Sequence, residues 1–275
     1  MVGVKWRRRL NSMFVYGFVL LFSAPFIFVF IWMAMASLKT QLQNTSIPPL
    51  IFFEPTFENY RNVFTRTPIV QYFINSVIVA LGSTGLGLVL GLPAAFSIAQ
   101  WRQHSLALAV LSARILPGMS YLVPWFILFS YLKIVGTHGG VILSHLTVTM
   151  PLIIWILIGF FEDLPGELFD AARIDGCSIY GTLMRVAIPL ALPGIVVSGI
   201  LAFIFSWNNF MLSLILGGSG VRTLPVAVYN FIGELGVDWG GLNATATVVT
   251  LPVVFFVLIV QKHVVRGLTL GAVKG

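Results

Sequence analysis

The sequence predicts an all-α integral membrane protein with six transmembrane helices, and three observations predict it. Of its 275 residues, 58% are hydrophobic and only 9% are charged, whereas a soluble domain carries about 25% charged residues. The mean hydropathy is strongly positive, at +0.96. The charges divide the chain into six apolar runs, each close to the roughly 20 residues that a bilayer-spanning helix needs. In such a chain the net charge of +7 reports which loops face the cytoplasm and points to no nucleic-acid partner. The single cysteine excludes an internal disulfide or a cysteine-based metal cluster.

The opening MVGVKWRRRLNSMF has the basic character of a signal peptide, but the apolar run behind it is too long and lacks a small-residue cleavage site. It reads as an uncleaved first span between Arg9 and Lys39. A polar, proline-bearing segment follows, containing Pro48, Pro49, Glu54, Pro55, Glu58, Arg61 and Arg66; its Asn44-Thr45-Ser46 sequon is short enough to arise by chance. The second span runs from Tyr72 to Gln100, with Gly82, Gly85, Gly87 and Gly91 allowing close helix packing. After a WRQHS turn, the third span covers Leu106 to Leu132 and holds Arg114, the one basic residue well inside a run. The fourth ends at Phe161, the fifth covers Pro193 to Leu216, and the sixth covers Leu242 to Val260. Between the last two lies a loop with a short helix or re-entrant turn, and a basic tail follows the sixth.

Lys5, Arg7, Arg8, Arg9, Arg102, Arg173, Arg185, Lys262, Arg266 and Lys274 fall on one side, ten in all. Lys39, Arg61, Arg66, Lys133 and Arg222 make five on the other. The positive-inside rule therefore expects both termini, and the loop after the fourth span, in the cytoplasm. No fixed-period repeat or low-complexity linker splits the chain, so residues 1–275 read as a single transmembrane domain.

The loop at about 162–193 is the one long segment that is neither a span nor loose. Glu162, Asp163, Glu167, Asp170 and Asp175 fall within fourteen residues of a chain with only nine carboxylates. Pro165 and Glu167 suit a first helical turn, and Ala171 and Ala172 make one flank small. Asp175-Gly176 stops the helix, since glycine takes a left-handed C-cap at little cost. A second helix follows, with Ile179, Leu183, Val186, Ala187 and Leu190 as its apolar stripe. Pro189 and Pro193 bend or end it. Two short helices meeting at a glycine form a rigid surface knob; an amphipathic helix lying on the bilayer is the alternative.

The order Asp170-Ala171-Ala172, Asp175-Gly176, Ile188-Pro189-Leu190 and Pro193 resembles the "EAA" loop of ABC importer permeases. Asp170 stands where that family usually has Glu, and Cys177 where it commonly has Ala. Other stretches are similar to its sugar-transporting branch: Phe73-Ile74-Asn75-Ser76, Arg114-Ile115-Leu116-Pro117, Ser206-Trp207-Asn208-Asn209-Phe210 with Asn209 replacing the usual acid, and the tail Gly267 to Gly275. The resemblance implies a type I ABC importer permease fold with a cytoplasmic coupling helix, in a prokaryotic cell membrane. It implies as partners a second, larger permease, an ABC ATPase dimer and an extracytoplasmic solute-binding protein, with a small sugar or polyol as solute. It assigns coupling to Glu167, Asp170, Ala171, Ala172, Asp175, Gly176 and Arg185.

For the solute path the residues themselves suggest candidates, each with an alternative. Arg114 is costly in hydrocarbon, by roughly 2.5–3.5 kcal/mol, so it lines the path, pairs across an interface or snorkels to headgroups. Pro117 and Pro124 free backbone carbonyls near it. Trp207, Asn208 and Asn209, expected in mid-span, combine an aromatic face with planar amides, as a sugar site does; interhelical hydrogen bonding is the alternative. His145 relays protons or is a satisfied bundle histidine. Tyr121 and Trp125 stack on a sugar or belong to packing.

No P-loop, HExxH or GxSxG occurs, and the spans hold no Ser-His-acid set. A membrane enzyme therefore lacks its chemistry, and no cofactor or metal is expected. The rival function is an ion-gradient-driven secondary transporter, which would need charged or broken-helix ion sites at mid-membrane.

Overall fold

A computed structural model describes residues 2–115, 118–233 and 236–270, with side chains within 13–258. The polypeptide gathers into two compact units, Met1–Thr67 with Val228–Thr250, and Pro68–Ala227 with Leu251–Gly275.

The first unit contains α1 (Val2–Ser37), α2 (Gln41–Asn44) and α3 (Glu58–Arg66). Its span, Met13–Ser37, has none of its apolar window buried. Thr40 and Gln43 close a capping box on α2, which satisfies the first free N–H groups of a helix too short to stand alone. Lys39 is the notable side chain, only 2% exposed. Its ammonium donates to Leu50 O at 2.6 Å and lies 4.6 Å from the Trp32 ring centroid and 5.0 Å from that of Phe53. Asn59 Nδ2 donates to the carbonyls of Ser37 and Lys39, which ties α3 to the end of α1. An antiparallel pair, β1 (Ile232–Gly233) and β2 (Gly236–Val237), lies in the loop before the last helix.

The second unit is built on α4 (Ile69–Gln100), α5 (His104–Ser112), α6 (Leu122–Tyr131) and α7 (His138–Glu162). It continues with α8 (Gly166–Ile174), α9 (Ile179–Thr182), α10 (Ile188–Leu190), α11 (Leu192–Trp207) and α12 (Phe210–Gly217). A last helix, α13 (Trp239–Leu270), ends the described chain. Helices α4, α7 and α11 pack against one another at the centre. Glycine makes this possible. A Cβ at Gly87 would stand 2.9 Å from Ile153 Cδ1, and one at Gly91 would stand 3.0 Å from Ile153 Cγ2, so α4 and α7 meet where no side chain fits. Gly82 plays the same part against Ile142, whereas Gly85 faces open space.

Among the described residues, four helices are long and apolar enough to span a membrane, and a fifth candidate is the pair Ile179–Leu190 and Leu192–Trp207, bent by 80°. The expectation of six continuous spans is corrected in two runs. The third is broken: α5 ends at Ser112, a turn follows through Ile115, and a 3-10 turn covers Gly118–Tyr121 before α6. Gly118 favours such a break, and a proline such as Pro117 has no N–H to give a helix; Leu116 and Pro117 lie outside the described residues, as do Gly271 to Gly275 of the tail. The fifth run is broken between α11 and α12. Asn209 Oδ1 accepts from Leu212 N at 3.1 Å, so Asn209 begins a helix rather than sitting within one.

Candidate functional site

Local chemistry explains why the segment after α7 forms a knob. Glu167 lies in the first turn of α8 and Arg173 in its last, each at the end where the helix dipole favours its charge. Gly176 takes φ +80°. Its N–H reaches Arg173 O at 3.0 Å, and Cys177 N–H reaches Ala172 O at 2.9 Å. This is the two-bond Schellman closure. Ser178 then caps α9 by accepting from Gly181 N at 3.1 Å.

One face of the knob is locked inward. Phe169 and Ala172 are buried, and the Phe169 ring meets Phe96 edge-on at 5.8 Å. Phe96 in turn meets Phe161 at 5.6 Å, in a cluster with Ile158, Leu183 and Ala187. Glu167, Asp170, Ala171, Asp175, Gly176 and Arg185 are all exposed. The expectation that Ala171 and Ala172 share one small flank is corrected: adjacent helical residues point about 100° apart, so Ala172 enters the core while Ala171 stays out. Ile174 is 86% exposed and Tyr180 68%. Sequence reasoning passed over both, although each is apolar and out of phase with the Phe169–Ala172 face. The stripe after Ser178 also needs correction. Leu183 and Ala187 are buried, but Ile179 and Leu190 are exposed; the π-turn at Leu183–Ala187 adds a residue and shifts the register of Leu190, which lies beyond it. At the base of the knob a cleft of about 450 Å³ opens, floored by Phe96, Phe161 and Phe169 and rimmed by Arg102, His104 and Glu162.

The candidate path residues divide into three groups. Arg114 lies in the turn after α5, exposed, with its guanidinium carbon 5.4 Å from the centroid of the Phe205 ring. Asn208, also exposed, comes three residues later, so it neighbours Phe205 at the end of α11. Its Nδ2 donates to Ile204 O. Arg114, Phe205 and Asn208 thus form a polar and aromatic surface, and Phe205 is the member that sequence reasoning missed. Tyr121 and Trp125 are half-buried against Leu122, Phe129, Leu212 and Leu216, with Trp125 4.7 Å from Phe129; their role here is packing.

Trp207 is buried at 3% exposure, flanked by Phe73 at 5.8 Å and Phe203 at 5.7 Å. It offers a solute no free face in this conformation, and its indole N–H meets no acceptor among the described residues. Asn208 and Asn209 are not in mid-span, as expected, but flank the break.

The third group surrounds His145, which is 1% exposed. Its Nδ1 lies 2.8 Å from Ser206 Oγ and its Nε2 lies 3.2 Å from Ser213 Oγ. Ser83 Oγ donates to Ser206 Oγ at 2.8 Å. A serine hydroxyl can donate or accept, so each ring nitrogen has a partner whichever of the two carries the proton. Both imidazole nitrogens are therefore satisfied, and no carboxylate lies within a span to extend a proton relay.

Residues 87–270 match the family described as "Binding-protein-dependent transport system inner membrane component". The chain is 36% identical over 254 residues to the trehalose transport system permease protein SugB of Mycobacterium tuberculosis, covering 89% of this chain and 91% of that one. It is 34% identical over 255 residues to the sulfoquinovosyl glycerol transport system permease protein SmoH of Agrobacterium fabrum, covering 90% and 89%. It also superposes on a chain from the crystal structure of a bacterial ABC transporter involved in the import of the acidic polysaccharide alginate. The TM-score is 0.72 at 17% identity, over 94% of this chain and 96% of that one, a likeness of fold.

Proposed function

The chain belongs to the family of binding-protein-dependent transport system inner-membrane components, and on that premise we propose that it forms half of the membrane path for a sugar or polyol. It is a permease subunit of an ABC importer in a prokaryotic cell membrane. It works as a single permease domain beside a second, larger permease, with both termini in the cytoplasm. An ABC ATPase dimer supplies the hydrolysis, since the chain carries no P-loop, and an extracytoplasmic binding protein delivers the solute. The sugar class rests on relatives named for trehalose and sulfoquinovosyl glycerol transport.

One observation carries the coupling role. The knob is anchored inward by Phe169 and Ala172, while Glu167, Asp170, Ala171, Ile174, Asp175 and Tyr180 stand exposed beyond the anchor. An exposed apolar and acidic face on a rigid mount is what a docking surface requires. ATP binding closes the ATPase dimer, draws the knob with it and, through the bend at Ala191, moves α11. Arg114, Phe205 and Asn208 line the path, since a charge and an amide on an exposed face are expensive against lipid. An ion-gradient mechanism is set aside, because no carboxylate lies within a span to hold the ion.

The test is capture from detergent-solubilised native membrane. The intact chain brings down an ATPase and a second permease, and replacing residues 167–176 with Gly-Ser loses the ATPase while the chain still inserts. Recovery of the ATPase with the replaced segment would overturn the coupling role.

A further inference from the structure

The break in the fifth run and the buried histidine are one device. Ser206 lies in the last turn of α11 and Ser213 in the first turns of α12, on opposite sides of Asn208-Asn209. His145, from α7, bonds both: Nδ1 at 2.8 Å to Ser206 and Nε2 at 3.2 Å to Ser213. Ser83 of α4 supports Ser206 from a third helix, and Thr149 Oγ1 donates to His145 O at 3.2 Å, one turn along α7. All five side chains are buried.

We propose that His145 is a positioning residue that joins the two halves of the broken span, so that Asn208 and Asn209 keep one setting relative to α7. Besides the imidazole, α11 and α12 share the two-residue link, the Asn209 N to Ser206 O bond, Asn209's cap and their packing on α7; the imidazole adds a side-chain bond to each half at once. A histidine suits the task because its two ring nitrogens diverge, and in the neutral ring one accepts while the other donates. A leucine of similar size fills the space and bonds neither side. The consequence for transport rests on the reading that Asn208 lines the solute path; the joint itself does not depend on it.

The experiment is a spin-label distance measurement on the full complex in lipid nanodiscs, with the native cysteine replaced (C177S). Labels at V196C on α11 and I215C on α12, both exposed, straddle the break. A control pair, V89C on α4 and L143C on α7, also exposed, reports the bundle as a whole. The expected result is that H145L at least doubles the width of the straddling distance distribution and leaves the control width unchanged. S213A removes one hydroxyl and H145N reaches only the Ser206 side, so both broaden the distribution to a lesser extent. These milder variants decide the matter if H145L does not assemble. An unchanged straddling width in S213A and H145N, or equal broadening of the control pair, overturns the proposal. ATPase content of the same samples separates this outcome from failure of the permease reading: loss of the ATPase from the unsubstituted complex sinks that reading and leaves the distances to judge the joint.

Discussion

The knob at 166–190 and the crossing at His145 both gather polar groups in an apolar chain, and they treat them in opposite ways. The knob turns its charges outward and locks itself with backbone caps and buried apolar side chains, Phe169, Ala172, Leu183 and Ala187. The crossing turns its polar groups inward, where Ser83, His145, Ser206 and Ser213 bond one another and Ser83 also reaches the Ala80 carbonyl. Loss of an outward charge is absorbed by water. An inward group that loses its partner bears the full penalty of desolvation. Polar residues in the knob are therefore free to serve a partner, whereas those at the crossing are committed to the bundle.

The largest expected effect breaks the crossing. H145L leaves the buried Ser213 hydroxyl without its imidazole, at about 1–3 kcal/mol, while Ser206 keeps Ser83; a clear fall in the thermal midpoint of the solubilised chain should result. Next comes the joint between the regions. Gly194 begins the path from the knob into α11, and a Cβ there would run into the Phe160 ring. G194V should cost about 1–3 kcal/mol through overpacking, read as the same midpoint, with coupling impaired as well. Within the knob, G176V forces a β-branched residue to φ +80°, at about 1–2 kcal/mol. Its signature should be the reverse of the crossing variants: ATP-driven uptake falls while the bundle midpoint stays close to the parent value. The smallest effect belongs to D170N. Its one ion pair, to Arg173 at 3.4 Å, joins side chains 69% and 54% exposed, and such pairs contribute at most about 0.5 kcal/mol. The midpoint should not move measurably, so any loss of ATPase capture in D170N would report docking rather than folding.

The same contrast explains what could be read from the sequence. The knob was legible because its signals are local: Pro165 before the helix and Gly176 after it. The central helices were legible from apolar length, and the glycines of α4 foretold close packing, though not that α7 would be the helix to approach them. The breaks in the third and fifth runs were missed because a span is inferred from apolarity, which does not register continuity. Gly118, next to Pro117, and the capping side chain of Asn209 were the available signals. Trp207 misled for a tertiary reason: an aromatic beside two amides suggests a sugar site, but Phe73 and Phe203 close over the ring. Leu190 misled for a local one, since the stripe assumed α-helical register through a π-turn. The side-chain partners of His145 come from two other helices, with Ser83 behind Ser206 from another, and no spacing along the chain brings them together.

The 80° elbow between Ile179–Leu190 and α11 makes the knob a crank. An arm of twelve residues is about 18 Å long at the α-helical rise, so a sideways push of about 1 Å at its tip turns α11 by about 3°, moving a side chain about 5 Å off the axis by only about 0.3 Å. The linkage thus gears motion down roughly threefold by the same geometry. Thermal jitter of the exposed tip is attenuated before it reaches Phe205 and Asn208, and only a sustained stroke of several ångströms turns the far end enough to matter.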